Sequence, residues 1–282
     1  DGNRRSGAVV VTEAGGGVRQ PRYLEGIRVL ELGDGISGSA AAAVLRSLGA
    51  RIDKVREASA PIHRCTPSFR STTGQPESVL GEILDQGKAF VQRPSDEALP
   101  GYDLVICDRF GSLDSLGLPD DPDDYAWFVA AASAKAWVTI SPFGLVGPRR
   151  LRGASELTIR APSGLIATDP ATGRPIKLGG HQALVGAGHV AALAACHAID
   201  THRSSGRPTH SDVSAQDAAI VTGPVLRLAH AMFRCTGASG ARRNGAPAGF
   251  YHCRDGLVRI SAMEDHQFQA LCRAFDNPSW VE

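Results

Sequence analysis

The sequence predicts an α/β protein built on a mostly parallel sheet. Three observations carry that expectation. Over residues 23–145, short runs of β-branched and leucine residues alternate with helical stretches. The first of these runs leads into a glycine-rich turn and a helix of small residues, as in a βαβ unit. Aromatic residues make up only 6% of the 282, while glycines number 32. The core must therefore be assembled from Ala, Val, Leu and Ile with close backbone approach, which suits helices packed on a sheet.

The elements follow in order. Residues 26–32 (GIRVLEL) read as a buried strand, 33–38 (GDGISG) as a turn, and 39–48 (SAAAAVLRSL) as a helix closed by Gly49. Residues 51–55 form the second strand. Residues 57–77 hold Pro61, Pro67 and Pro76 and read as loop, 78–86 as helix, and 89–91 and 103–107 as strands. The DDPDD run at 120–124 reads as a solvated turn, followed by a helix over 126–136 and a strand over 137–141. Beyond PFGLVGP (142–148), Ser155 and Glu156 mark a helix start. A loop over 163–180 leads into a long small-residue helix over 182–203. A strand over 210–214, a helix over 216–235, a glycine-rich loop over 237–249, a hairpin turning at Asp255-Gly256 and a helix over 265–275 complete the chain.

Composition excludes several classes. With 43% hydrophobic and 21% charged residues the chain is globular in composition and not wholesale disordered. Its length allows one large domain or two ordinary ones. Thirty basic against 29 acidic residues, a net charge of +1, do not suit a nucleic-acid binder. The six cysteines (65, 107, 196, 235, 253, 272) include no CxxC pair, so free thiols in a reducing compartment are expected, with no metal site. Residues 1–22 read as a flexible arm whose apolar run, 8–11, is too short for a signal-peptide core. The apolar stretch 183–199 carries His189 and His197 and reads as a buried helix, not a membrane span. These features point to a cytoplasmic protein acting on a small molecule, without membrane or nucleic-acid partners.

Gly33, Gly35 and Gly38 match GxGxxG. Two readings stand: phosphates at the N-terminus of the following helix, or close packing of helix on strand. The position of the ribose-binding acid falls at Arg56-Glu57, which fits the first reading poorly. No GxSxG or HExxH occurs, and His189 and His197 are two turns apart, too far to share a metal.

Seven segments, taken in order, resemble the family III CoA-transferases, which include formyl-CoA and carnitine CoA-transferases and α-methylacyl-CoA racemases. They are GIRVLELGDGISGSAAAAVLRSLGARIDKV (26–55), LDQGKAFV (84–91), VTISPFGLVGP (138–148), SELTIRAPSGL (155–165), KLGGHQALVGAGHVAALAACHAI (177–199), HRSSGRPTHSDVSAQDA (202–218) and GFYHCRDGLVRIS (249–261). The resemblance implies a Rossmann-like large domain with a parallel sheet, a smaller α/β domain, and two chains interlocked as a homodimer. It suggests an arm at 1–22, the large domain at 23–165, a long helix and linker at 166–203, and the small domain at 204–282. The family's C-terminal return to the large domain is expected to be absent or truncated.

The resemblance also implies coenzyme A or an acyl-CoA as substrate. Carried over, the CoA-contacting positions are Asp34, Gly35, Ser37, Arg56, Lys88, Asp108 and Arg109, with Arg56 and Lys88 suited to pair with phosphates. In the transferases an aspartate attacks the thioester, and in the racemases a His and an Asp exchange the α-proton. The nucleophile's position falls on Leu184, or on Gly180 if aligned on LGG; the racemase pair falls on Ser155 and Glu156. Neither catalytic set is retained. His181 and Glu156 are candidate substitutes, set against a structural role for His181 and helix-dipole service for Glu156. The loop at 237–249 corresponds to the family's mobile glycine-rich cover, or is a connector. The implied function is an acyl-CoA-handling enzyme, transferring CoA or acting on a thioester, with the aspartate replaced. The alternatives are a repurposed lyase, cyclase or hydrolase, and a non-catalytic scaffold.

Overall fold

Strand β1 (Arg28–Leu32) is buried at four of its five positions, the pattern of a strand covered on both faces. It belongs to a computed structural model that describes residues 22–33, 35–55, 67–70, 76–110, 118–132, 134–168, 172–177, 179–223, 248–262 and 264–278. The chain divides into two compact units, Asp1–Pro224 and Val225–Glu282.

In the first unit, β1 leads to helix α1 (Ile36–Ser47) and strand β2 (Arg51–Val55). A short antiparallel ladder, β3 (Ser68–Arg70) with β4 (Pro76–Ser78), precedes helix α2 (Val79–Asp85), whose first turn is capped by the Ser78 hydroxyl accepting from the Gly81 amide. Then come β5 (Ala89–Val91), a 3-10 turn (Asp96–Gly101), β6 (Leu104–Asp108), helix α3 (Pro122–Ala131) and β7 (Ala136–Ser141). Helix α4 (Glu156–Arg160) and a second small ladder, β8 (Ala167–Thr168) with β9 (Pro175–Ile176), lead to α5 (Gln182–Ser205), β10 (Thr209–Ser214) and α6 (Ala215–Thr222).

Six strands form one sheet in the order β5-β2-β1-β6-β7-β10, and every neighbouring pair is parallel. In chain order this is 3-2-1-4-5-6, the doubly wound Rossmann arrangement, whose direction of winding reverses between β1 and β6. Two expectations are corrected here. The DDPDD run is not a turn: Asp121 caps α3 by accepting from the Asp123 and Asp124 amides, and Pro122 opens the helix. Strand β10, on the small-domain side of the boundary drawn at 204, instead pairs with β7 along its whole length and completes the main sheet.

Helix α5 is long and apolar enough by composition to cross a membrane. Its alanine face is instead buried in the core, packed on α1, β7 and β10. Gly188 lets it cross α1 in backbone contact: a Cβ there would lie 2.5 Å from the Ser37 carbonyl oxygen and 2.7 Å from the Ala40 Cβ. In the second unit, β11 (Ala248–Cys253) and β12 (Gly256–Ser261) form the hairpin expected around Asp255-Gly256, followed by helix α7 (Asp265–Ala274). The expected continuation of the 216–235 helix and most of the 237–249 loop lie outside the described residues.

The carboxyl half of β1 is anchored by four buried charges. The Glu31 carboxylate receives Lys88 Nζ at 2.7 Å and Lys54 Nζ at 3.2 Å; Asp85 receives the same two ammoniums at 3.0 and 2.8 Å. The Ser39 hydroxyl accepts from Lys54 and donates to Glu31, and its carbonyl accepts from Lys88. Two positive and two negative groups thus cancel while joining β1, β2, α1 and α2. Burial opposes the charge on Asp85, but the two lysines win and hold its pKa below the ordinary aspartate value. Lys88→Met leaves Lys54 alone between two carboxylates, with one negative charge uncompensated, and is expected to cost about 3–5 kcal/mol, measured by urea unfolding. A variant within 1 kcal/mol of wild type, a span of ~fivefold in the unfolding constant, would refute this reading.

Candidate active site

Two helix N-termini meet at the carboxyl edge of the sheet, and each is capped by a carboxylate from another element. At α1, Asp108, the last residue of β6, accepts from the Gly38 amide at 2.7 Å and from the Phe110 amide at 3.0 Å. All three glycines of the GDGISG turn make room for it. A Cβ on Gly35 would lie 2.1 Å from the Asp108 carboxylate, one on Gly38 3.0 Å from its Cβ, and one on Gly33 2.8 Å from its main-chain oxygen. The anion at this helix terminus is the protein's own, so close packing explains the glycine pattern. Burial pushes the Asp108 pKa up to about 6 despite the two amide donors.

At α5 the capping group is Glu156. One carboxylate oxygen accepts from the Ala183 amide and the other from the Leu184 amide, both at 3.0 Å, and Arg160 lies 3.4 Å away. The Ser155–Thr158 capping box fixes α4 and so aims this carboxylate. Glu156 is buried with both oxygens engaged. That corrects its candidacy as a proton-transfer group: it serves a helix terminus, though of α5 and not of its own helix.

Leu184 is buried against Ile36, with Leu80, Leu84, Phe110 and Val185 around the pair. The other aligned position, Gly180, has φ +75° and open space around it. Neither position carries a nucleophile. His181 caps α5 by position and is half-buried, with its Nδ1 buried and without a hydrogen-bond partner. Burial lowers its pKa most, Glu156 raises it and Lys177 lowers it again, with a net shift downward. The imidazole is therefore neutral at pH 7 and available as a base.

Beside these termini, at the ends of β6 and β7, lies a cleft of about 580 Å³ whose charged lining is Arg109, Arg150 and Arg152 with Asp120 and Asp121, and which Phe110 also borders. Phe110 faces both the cleft and the Ile36–Leu184 cluster, so the two regions adjoin. Arg109 donates through Nη2 to the Asp120 carbonyl and lies 4.2 Å over the Tyr125 ring, while its Nη1 is buried without a partner. Arg150 is paired through both terminal nitrogens with Asp123 at 3.0 and 2.7 Å. Arg150 and Arg152 were missed in the sequence reading, although the run GPRRLRG (147–153) was the available signal.

The remaining candidates divide. Gly35 and Ser37 open α1 at this edge, and the Ser37 hydroxyl is buried without a partner. Asp34 and Arg56 lie outside the described residues. Lys88 is corrected: its ammonium is buried in the four-charge cluster, and meeting a phosphate would cost it Glu31 and Asp85. Among the described residues no group of three or more His, Cys, Asp and Glu forms a metal site. Cys107, Cys196, Cys253 and Cys272 are free thiols, and burial pushes Cys107 up to about 12, which leaves it inert as a nucleophile.

The carboxyl edge of this doubly wound sheet thus carries two capped helix termini and a cleft lined by arginines and aspartates. The model of CoA-transferase family III matches residues 136–282, and the chain belongs to that family. It is 25% identical over 280 residues to human succinyl-CoA:glutarate CoA-transferase, covering 92% of this chain and 60% of the relative. It is also 25% identical to a Mycobacterium tuberculosis protein named as a probable fatty acyl-CoA transferase, covering 92% of this chain and 70% of that one. Among solved structures, a CAIB/BAIF family protein from Brucella suis shares the fold with a TM-score of 0.70 at 22% identity, covering 92% of this chain and 71% of that one.

Asp108 gives this site a pH signature. Between pH 3.8 and about 6 the folded chain keeps a proton that the unfolded chain releases, so this group's contribution to stability falls as pH rises through that window. Urea unfolding across pH 4–7 is expected to show this slope in wild type and its loss in Asp108→Asn. Parallel curves would contradict the assignment.

Proposed function

We propose that the protein acts on an acyl-CoA thioester without forming an aspartyl-CoA intermediate. The observation that carries this reading is that three of the seven buried polar side-chain atoms without a hydrogen-bond partner among the described residues are Ser37 Oγ, Arg109 Nη1 and His181 Nδ1. Buried polar groups are ordinarily satisfied, and these three lie on residues where the family likeness places CoA contacts or a substitute catalytic group. In this reading the phosphates of CoA are held at the Arg109 cleft, with Arg152 beside it. The thioester end reaches the edge where Ser37 and His181 stand, at the starts of α1 and α5. His181 is the base that accepts a proton from the acceptor or from water, and Glu156 holds the helix that carries it. Hydrolysis balances here: as His181 takes its proton, the water oxygen bonds to the thioester carbonyl carbon, the C–S bond breaks, and the departing CoA thiolate takes the proton; acyl transfer to a hydroxyl or amine acceptor follows the same path.

Leu184 favours a second reading, in which the family scaffold serves a lyase or cyclase reaction. The proposal also includes an interlocked homodimer and, from the free thiols, a cytoplasmic location.

Titration calorimetry with CoA is the primary test. Association in the micromolar range is expected, weakened roughly 10- to 100-fold in Arg109→Ala, the range of a hydrogen bond to a charged group. No detectable association would end the proposal. With an acyl-CoA panel, turnover is expected to fall at least about 100-fold in His181→Ala. The rate is expected to rise with pH with its midpoint below pH 6.5, because burial lowers the His181 pKa from that value. A trapped enzyme-bound acyl anhydride would overturn the non-covalent mechanism.

A further inference from the structure

The Arg109 guanidinium rests on an aromatic platform that is itself fixed from below. Tyr125, on α3, is fully buried. Trp137 Nε1 donates to its hydroxyl oxygen at 2.9 Å, and Thr139 Oγ1 lies 3.1 Å from the same oxygen. Thr139 is held in turn at 2.9 Å by His210 Nε2 from β10. The hydroxyl also meets the Cys107 thiol. Trp137 packs edge-on against the tyrosine ring, with centroids 6.3 Å apart at 75°. A phenol has one proton and two lone pairs, and these partners use them. Nothing of the hydroxyl is left for a ligand, and what Tyr125 offers upward is its ring face, 4.2 Å below the Arg109 guanidinium.

We infer that Tyr125 is a positioning residue for anion binding. It stacks Arg109 so that Nη2 meets the Asp120 carbonyl and Nη1 is left without a protein partner, to be taken up by an anion. A guanidinium prefers the electron-rich face of an aromatic ring, and a stacked arginine loses less freedom when it takes hold of a phosphate. The inference rests on the reading of the Arg109 cleft as the site of the CoA phosphates. It adds that affinity depends on the electron density of a side chain that does not touch CoA.

The test separates the ring from the hydroxyl. Tyr125→Phe keeps the face and removes the acceptor from Trp137, so the melting temperature is expected to drop while the Kd for CoA stays within about twofold. Phenylalanines with one, two and three ring fluorines, installed at Tyr125 by amber suppression, keep the shape but drain the face. The Kd is expected to climb stepwise, by about 3- to 30-fold across the series, with no further change in melting temperature. A flat Kd along the series, with binding still weakened by Arg109→Ala, overturns the platform and leaves the CoA site standing. Full CoA affinity in Arg109→Ala overturns both.

Discussion

The carboxylate of Asp108 organises the carboxyl edge of the sheet. It closes the crevice between β1 and β6, where a doubly wound sheet usually admits its ligand. It requires small residues at Gly33, Gly35 and Gly38, and it supplies the acceptor for the first turn of α1. Because it also accepts from the Phe110 amide, it sets how the chain leaves β6, and therefore where Arg109 and Phe110 stand. The open cleft lies to one side of the switch point, at the ends of β6 and β7.

The same economy runs through the rest of the unit. Glu156 does for α5 what Asp108 does for α1, and the Glu31–Lys54–Asp85–Lys88 cluster keeps its charges in balance below them. Buried charge of this kind adds little net stability over apolar packing, and its clearest use is to fix one arrangement among several. Here it fixes the junction of β1, β2, α1 and α2 by direction as well as by contact. The two helix termini thus stay in register where Ile36 of α1 packs on Leu184 of α5.

Much of this fold was legible in the sequence because it is local. Strands β2 and β5 span the residues that the sequence marks as strands, and the hairpin of β11 and β12 follows from Asp255-Gly256. The start of α1 was placed at Ser39 and lies at Ile36, because the acceptor that nucleates it comes from 70 residues further on. Lys88 and Glu156 were read as free functional groups for the same reason. Their partners, Glu31 and the amides of Ala183 and Leu184, are remote in sequence. Tyr125 gave no signal at all, since its role depends on what lies above and below its ring.

Strand β10 has a consequence for how the chain matures. It is made after α5, yet it covers the flank of β7, whose six residues are all buried in the finished unit. A nascent chain that has emerged only as far as residue 208 presents a bare, apolar strand edge, the template on which chains aggregate. The first unit therefore closes during synthesis only once Ser214 has left the ribosome, and a cleavage between α5 and β10 leaves a sticky fragment in place of a shorter domain.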